Sequence, residues 1–390
     1  MRNWVAITAF FLVIQLASTT TVAQDFCLNP DKFDALQIET KKWADALKNR
    51  RYADLDAHFN TLAKAYESGA KSDDEVERWF RVFSKSDVVL EPLHEEWIKK
   101  YPDSFAAYMA AATYHQSVGH TKRGSEYASN TSDTQFAAMS ASYQLSAKML
   151  DRAEQLSKKP ILVIASRINL AKQQSRHSDV IALYRAGEKL DPTNMRVKAA
   201  YIVAANPKWG GSDGELEGIL ENARKGNLSP SIKSFVEYLV IYEFADTVWR
   251  EKNYVQTIKL YERANLLCPA FEEILVNLVN LYDGEKNYTD MRHAADRYVK
   301  RRPDSGWGYA RRARANYYLS NLKESMADAE KSAISGDAYG TYLLGWFHDK
   351  GKSVTPRDPA KALELYTTAR QRGYSQAQTD IERLRAELRK

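Results

Sequence analysis

The segment that most resembles a catalytic motif is Gly-Gly-Ser-Asp-Gly at residues 210–214, which fits the G-x-S-x-G spacing of serine hydrolases. In those enzymes a strand feeds the turn, so that the serine hydroxyl is exposed beside a histidine. Here residues 204–209 indicate a helix end and a proline-containing turn instead. Ser212 followed by Glu215 is a capping box, which predicts a helix over 215–224. The motif therefore indicates a helix cap, and its glycines allow the chain to reverse.

A second candidate is Gly351-Lys352-Ser353, which matches the end of a nucleotide-binding P-loop. The motif requires a glycine five positions before Gly351, and Trp346 stands there. Because the phosphate cradle is then incomplete, the sequence predicts no bound nucleotide. We expect no other cofactor.

The histidines and carboxylates are the residues that could support metal or acid–base chemistry. His115 and His120 are five residues apart and fall on different helix faces, and no H-E-x-x-H pattern occurs among the seven histidines. No metal site and no catalytic residue is therefore predicted. The carboxylates at 73–75 and 95–96 fit helix starts or solvated faces. A glycosidase pair can come from distant positions, so an envelope hydrolase stays open as an alternative.

The N-terminus has the pattern of a secretory signal peptide over residues 1–23. Arg2 supplies the charged start, Trp4 to Leu16 is apolar, and small residues precede a predicted cut before Gln24. The apolar run is shorter than the about 20 residues that a membrane span needs. We expect cleavage, no transmembrane segment in the mature chain, and a location in the periplasm or outside the cell.

Composition favours a helical protein with a mildly basic surface. The chain has 17 glycines and 11 prolines, well below a usual combined share of about 12%. The formal net charge is +6, one unit of which comes from Arg2. This bias is too weak to indicate nucleic-acid binding.

The two cysteines, Cys27 and Cys268, leave the question of a disulfide open. An oxidising compartment permits the bond, but it requires Cα atoms within about 7 Å. Opposite ends of an elongated array would hold the two residues apart. Two cysteines alone cannot form a structural zinc site.

From Asp31 onward the dominant period is helical. Alternating spacings of three and four place one apolar set on a single helix face: Tyr52, Leu55, Phe59, Leu62 and Tyr66. Gly69 then predicts the helix end.

An internal repeat organises the second half of the chain. Lys252-Asn253-Tyr254 returns 34 residues later as Lys286-Asn287-Tyr288, and Pro269 returns as Pro303 at the same distance. A helix pair with its turns has this length, which is the tetratricopeptide period. The segment 181–192 also aligns without gaps with 258–269, so the same helix face is reused.

Residues 236–336 resemble tetratricopeptide repeats. Taking Pro269 and Pro303 as closing prolines, the packing positions of the family match Ala245, Tyr261 and Ala264, then Leu275, Leu278, Tyr282 and Ala295. The resemblance implies an all-α fold, a right-handed α-solenoid of stacked antiparallel helix pairs, and a protein or peptide partner.

Two other segments resemble further helical families. Residues 337–390 resemble a Sel-one-like repeat with a capping helix, on matches that include Leu344-Gly345, Tyr366 and Gly373. Residues 24–235 resemble the bacterial domain of unknown function 4034, on motifs that include 66–69 and 207–212. The latter resemblance implies a bacterial origin and assigns no activity.

The tetratricopeptide resemblance implies a binding scaffold whose first helices line a concave face. Counting from Pro303, the exposed positions of those helices form this set: Asn277, Asn280, Trp307, Arg311, Arg314 and Tyr318. Asparagines beside basic residues resemble the family's clamp for a peptide carboxylate, although the basic residues here are arginines at shifted positions. The leading prediction is a non-catalytic, exported, protein-binding scaffold of the envelope. A saccharide-binding accessory protein is kept as a second alternative beside the hydrolase.

Overall fold

A computed structural model describes residues 41–125, 130–269, 271–351 and 355–389. The predicted signal peptide over 1–23, its cleavage before Gln24, and Cys27 lie outside the described residues.

The first half of the chain is a succession of helices. After a helical stretch at 41–48, these are α1 (Tyr52–Glu67), α2 (Asp73–Phe80), α3 (Glu91–Lys100), α4 (Phe105–Arg123), α5 (Asp133–Gln155), α6 (Ile161–Gln173), α7 (His177–Leu190), α8 (Arg196–Ala204) and α9 (Asp213–Lys225). Short 3₁₀ turns occupy Arg81–Phe83, Val88–Leu90 and Pro207–Trp209.

The second half continues in the same way. Its helices are α10 (Pro230–Arg250), α11 (Tyr254–Leu267), α12 (Glu272–Gly284), α13 (Tyr288–Arg301), α14 (Gly306–Tyr318), α15 (Leu322–Ile334), α16 (Ala338–Lys350), α17 (Pro359–Gln371) and α18 (Ala377–Glu387).

The predicted all-α fold of stacked antiparallel helix pairs is confirmed. Helices that follow one another along the chain pack together, as α4 does with α5 and α14 with α15. No strand occurs in the described part of the chain. Within that part, no helix combines the length and the apolar character needed to cross a membrane.

The chain divides into two compact units. The first consists of Met1–Tyr201 with Gly218–Val236, and the second of Ile202–Glu217 with Glu237–Lys390. The predicted segments 24–235, 236–336 and 337–390 stay predictions.

The repeat predicted in the second half is visible in the backbone. Lys252, Lys286 and Ser320 stand 34 residues apart, and each adopts a positive φ, of 60°, 56° and 63°. In the first two cases the next residue is an asparagine whose side chain caps the following helix. Asn253 accepts from the backbone N–H of Gln256, and Asn287 accepts from that of Asp290. A left-handed residue and an asparagine cap therefore turn the chain at the same place in successive helix pairs.

Prolines follow the second helix of three pairs, at the positions that the sequence predicts. Pro192, Pro269 and Pro303 each stand two residues after the last residue of α7, α11 and α13. Proline at this place cannot continue a helix.

Gly308 of α14 leaves room for the Tyr298 ring of α13 where the two helices cross. A Cβ on Gly308 would come within 2.7 Å of Cδ1 of Tyr298. Even an alanine would therefore push the two helices apart.

The five apolar residues predicted to share one face of α1 are all buried. Gly69, with a φ of 79°, follows that helix as expected.

The hydrolase-like segment is confirmed as a helix cap. A 3₁₀ turn over Pro207–Trp209 precedes it, and Ser212 accepts a hydrogen bond from the backbone N–H of Glu215 at 3.2 Å. A Cβ on Gly211 would lie 2.0 Å from the carbonyl oxygen of Ala205, so only glycine fits this turn. Gly351 likewise ends α16 in the left-handed conformation.

Motif residues of the first 230 positions have structural partners. The Tyr66 hydroxyl donates to Asp191 at 2.8 Å, and the Trp97 indole donates to Asp56 at 3.2 Å. Asp191 is 8% exposed. Burial opposes its charge, but hydrogen bonds from Lys159, Thr193 and Tyr66 lower the pKa of its carboxyl group to about 2. These residues join helices that are distant in sequence.

Cys268 is fully buried and disulfide-bonded. The only other cysteine of the sequence is Cys27, outside the described residues.

Candidate peptide-binding face

The predicted binding residues lie on α12 and α14, the first helices of two consecutive pairs. Asn277 and Asn280 belong to α12. Trp307, Arg311, Arg314 and Tyr318 follow one another along α14 at spacings of four, three and four, which places them on one helix face. The next first helix, α16, packs against α14 and adds Tyr339.

We call the surface formed by seven residues of these three helices the arginine face. Its members are Asn280, Asp283, Trp307, Arg311, Arg314, Tyr318 and Tyr339.

Arg314 is held by two neighbouring helices. Its Nε donates to Oδ1 of Asp283 on α12 at 2.8 Å, and another guanidinium nitrogen donates to the hydroxyl of Tyr339 on α16 at 3.2 Å. The guanidinium also lies 5.1 Å from the ring centroid of Tyr318. Partial burial opposes its charge, yet these hydrogen bonds raise the pKa of Arg314 above its usual value. The Arg314 side chain is therefore held in place as a cation by other residues of the protein.

Arg311 is less completely paired. Its closest approach to Asp283 is 3.8 Å, longer than a hydrogen bond. Its Nε is buried and has no hydrogen-bond partner among the described residues. The guanidinium lies 5.6 Å from the ring of Trp307 and 6.0 Å from that of Tyr339. Two aromatic rings thus position the Arg311 guanidinium, and its N–H groups can still donate hydrogen bonds.

The charge of this surface is unbalanced. Arg311 and Arg314 share one carboxylate, that of Asp283. One positive charge therefore remains uncompensated within the trio. A carboxylate is the group that an arginine fork holds best, through two charge-assisted hydrogen bonds.

The two asparagines differ in what they contact. Asn280 is exposed, one helical turn before Asp283. Asn277 is half-buried and hydrogen-bonds with Tyr242 and Tyr261. Burial raises the pKa of both tyrosines, and the bonds to Asn277 oppose that rise. Asn277 is therefore engaged with α10 and α11, and Asn280 is the asparagine open to a ligand.

Aromatic side chains border the arginines. The ring of Tyr318 is 47% exposed and stacks on Tyr288 with centroids 4.1 Å apart. Trp307 packs edge to face against Tyr298 at 4.9 Å. On the other side, Tyr374 lies 5.6 Å from Tyr339. Such rings offer flat apolar surface for the side chains of a bound segment.

The sequence did not identify Asp283 or Tyr339 as part of this surface. Asp283 lies three residues after Asn280 and so shares its face of α12, a signal that was available in the spacing. Tyr339 lies in the segment that resembles a different repeat, and its contact with Arg314 depends on how α16 packs on α14.

A third arginine of α14 points elsewhere. Arg312 makes a bidentate bond to Asp328 at 2.8 and 2.7 Å and another to Asp296 at 2.8 Å. Asp328 is 4% exposed. These bonds tie α14 to α15 and α13, so Arg312 has a structural role.

No cluster of three histidine, cysteine, aspartate or glutamate side chains suited to a metal ion was found in the described ranges. Nearby cations or hydroxyl groups stabilise the charged form and lower the pKa of six described carboxyl groups: Glu77, Glu96, Asp191, Glu221, Asp246 and Asp349.

No family model matches the chain, and no curated protein matches it. The structure shows a helical-repeat fold, whereas membership of the named repeat families stays a prediction. Among solved structures, the chain is similar to yeast Tom70, with a TM-score of 0.32, 10% identity, and coverage of 93% of this chain and 90% of that one.

It is also similar to c5321, described as a protective antigen present in uropathogenic Escherichia coli strains displaying an SLR fold. The TM-score is 0.31 and the identity 12%, with coverage of 87% of this chain and 81% of that one. At this distance neither structure informs on function.

Proposed function

We propose that this chain is an exported, non-catalytic scaffold of the bacterial envelope that binds a peptide or protein segment through the arginine face. The observation that carries the proposal is the state of Arg311. Its guanidinium is positioned over two rings, lies 3.8 Å from Asp283, and keeps a buried Nε without a partner among the described residues. Since the Nε itself is closed to solvent, a ligand carboxylate would bond the terminal guanidinium nitrogens of Arg311, which the 3.8 Å contact with Asp283 leaves available.

Charge and shape favour a peptide carboxylate as that acceptor. The surplus positive charge of the arginine face attracts an anion, and the exposed ring of Tyr318 can pack an apolar side chain next to it. Asn280 is placed to bond the backbone of an extended segment. Together these groups match a peptide that carries a carboxylate beside an apolar residue.

Export is supported by two features. The N-terminal 23 residues have the pattern of a cleavable signal. Cys268 is disulfide-bonded, and disulfides persist mainly in oxidising compartments such as the periplasm.

The hydrolase alternative has less support. A glycosidase needs one carboxylic acid with a raised pKa. The pKa values of the six carboxyl groups named above move in the opposite direction. We therefore favour binding over catalysis.

Affinity capture from an envelope extract tests the proposal. The bait is the mature chain from Gln24, and the variant is Arg311→Ala combined with Arg314→Ala. We expect the wild-type chain to retain a partner that the double variant loses. Each lost charged hydrogen bond costs about 1.5–3 kcal/mol, or roughly tenfold to a hundredfold in affinity.

Arg385→Ala is the matched control. Arg385 is an exposed arginine on α18 with no ion pair among the described residues. It removes one positive charge from the same unit, half of what the double variant removes, and leaves the arginine face intact, so capture should be unchanged. Equal capture by all three proteins would exclude the arginine face as the binding surface.

A further inference from the structure

A polar cavity lies within the first unit and shares no residue with the arginine face. Its volume is about 290 Å³, and α4, α6, Tyr143 of α5 and the segment after the first 3₁₀ turn line it. This is close to the lower end of the range of about 300–1,000 Å³ that is usual for small-molecule sites. The cavity is therefore suited to a ligand smaller than a peptide.

Uncharged polar side chains of the lining are not used by the protein itself. Asn169 and Gln173 lie four apart on α6 and so share one helix face. Both line the cavity, and neither side chain has a hydrogen-bond partner among the described residues. On α4, Ser117 is likewise unpaired within the described ranges, and Gln116 donates from Nε2 to Ser146 at 3.3 Å, which leaves its carbonyl oxygen available. Two helices therefore present amide and hydroxyl groups to the same space.

The Tyr143 hydroxyl is a further polar group of the lining without a partner. The residue is only 2% exposed, yet its hydroxyl makes no hydrogen bond within the described part of the chain. The ring is held in place by close packing, since a Cβ on Gly119 of α4 would come within 2.4 Å of its Cε1. The hydroxyl oxygen is not closed to solvent, so a ligand in the cavity can supply the hydrogen bond that the protein does not.

The lining offers no free permanent charge with which to select an ion. Of its described residues only Lys172 carries a permanent charge, and Lys172 already has an interaction within the protein. His120 is an exposed residue, where solvent and salt screen any charge on its imidazole. No lining residue is a carboxylate. Because a charged ligand would lose hydration without gaining a counter-charge, the cavity favours an uncharged ligand.

We propose that this cavity binds a neutral sugar. A side-chain amide holds a donor beside an acceptor, an arrangement that pairs with two neighbouring hydroxyl groups. Asn169 and Gln173 bond the sugar hydroxyls from α6, and Gln116 and the Tyr143 hydroxyl bond others. The ligand is either a free monosaccharide or the terminal residue of a neutral glycan. This function goes beyond peptide binding and is independent of it, because the two sites share no residue.

Isothermal titration of the mature protein tests this site. The probes are glucose, galactose, mannose, cyclohexanol and glucuronate. We expect at least one of the three hexoses to bind at least about tenfold more tightly than cyclohexanol, which has a similar ring without neighbouring hydroxyl groups. Glucuronate, the charged analogue of glucose, should bind no more tightly than the best hexose. Hexose affinity should be equal in about 50 mM and about 500 mM sodium chloride, since no charge takes part.

A tetrasaccharide of the best-binding hexose distinguishes the two sources of the sugar. Equal or tighter binding than that of the monosaccharide indicates the end of a glycan, and weaker binding indicates the free sugar.

Tyr143→Phe is the informative variant. It removes a hydroxyl that has no partner among the described residues, so stability should be kept while hexose affinity falls about five- to tenfold. Tyr108→Phe is the matched control, because the Tyr108 hydroxyl on α4 is also unpaired within the described ranges but lies outside the lining. It should leave binding unchanged. Asn169→Leu removes a lining amide with little change in volume and should lower hexose affinity by about tenfold or more. Circular dichroism of all three variants should show the helicity of the wild type.

Three results would overturn the proposal: no heat with any hexose, binding of cyclohexanol as tight as that of the best hexose or of glucuronate tighter than it, or hexose binding that neither Tyr143→Phe nor Asn169→Leu weakens. None of these bears on peptide capture, which Arg311 and Arg314 govern.

Discussion

Arg314 of α14 and Asp283 of α12 are joined by a hydrogen bond of 2.8 Å between Nε and Oδ1. The bond crosses from the first helix of one pair to the first helix of the next. Arg311 approaches the same carboxylate only to 3.8 Å. A ligand carboxylate at Arg311, as proposed, would therefore meet the negative charge of Asp283, which opposes its binding.

Replacing Asp283 by asparagine should strengthen partner binding. The change removes the competing charge, and a charge interaction near a protein surface is worth about 1–2 kcal/mol. Affinity for a carboxylate-bearing partner should therefore rise roughly five- to thirtyfold, measured by titration with the captured partner. Stability should fall slightly, because Arg314 loses an ionic partner.

The sign of this effect distinguishes a binding role from a structural one. If the arginine face only holds helices together, Asp283→Asn lowers stability and leaves affinity unchanged or reduced. Weaker binding by this variant would contradict the proposed attraction of an anionic group.

The C-terminal helix should depend on one ion pair. Asp349 of α16 is 1% exposed and accepts two hydrogen bonds from Arg383 of α18. Arg383→Ala removes the main partner of a buried charge, although Lys350 remains at 2.8 Å. We expect a loss of about 1–3 kcal/mol in the free energy of unfolding by urea.

Arg385→Ala, two residues later and exposed, serves as the control and should change stability by less than about 0.5 kcal/mol. Equal effects of the two variants would show that Asp349 does not anchor α18.

Acid should destabilise the first unit through His94. Its side chain is 1% exposed, and neither ring nitrogen has a hydrogen-bond partner among the described residues. Burial lowers the pKa of His94 to about 3, from an ordinary value of 6.5, and the nearby His115 lowers it further. Between these values the unfolded chain binds the proton and the folded chain does not. Stability is therefore complete above about pH 6.5 and falls as the pH decreases toward 3.

Through this histidine, acidification from pH 7 to pH 5 should lower the free energy of unfolding by about 2 kcal/mol. In the His94→Phe variant this part of the stability loss should be absent. Urea unfolding of both proteins at pH 7 and pH 5 measures the difference. His115→Gln is a useful comparison, because burial lowers the pKa of His115 as well. If wild type and His94→Phe lose equal stability on acidification, His94 is not buried as described.

The cysteines should both be oxidised in the exported protein. Cys268 is disulfide-bonded and no described cysteine is free. Alkylation of the unfolded chain should label no thiol without reductant and both cysteines after reduction, as read by mass spectrometry. The same spectrum should show a mature N-terminus at Gln24. Two free thiols on a chain that begins at Met1 would contradict export.

Much of the fold could be predicted from the sequence because the repeat is local. The spacing of 34 residues appears in the positive φ angles of Lys252, Lys286 and Ser320, and a turn with an asparagine cap depends only on neighbouring residues. The four predicted positions of α14 also share one face, as helical geometry requires.

What could not be predicted depends on side chains that meet across helices. Arg311 and Arg314 are alike in sequence, but Asp283 is 31 residues before Arg314 and only the packing decides which arginine it bonds. The cavity of the first unit similarly combines Gln116 with Asn169, which lie on different helices.

Site-specific photocrosslinking tests the central claim most directly. A photoreactive amino acid is placed at Tyr318, in the arginine face, or at Leu388, at the end of α18. The two side chains are 47% and 49% exposed, so chance collisions should label them equally. The account predicts that the captured partner crosslinks from position 318 and not from position 388. Crosslinking from 388 alone, or equally from both positions, would contradict binding through the arginine face.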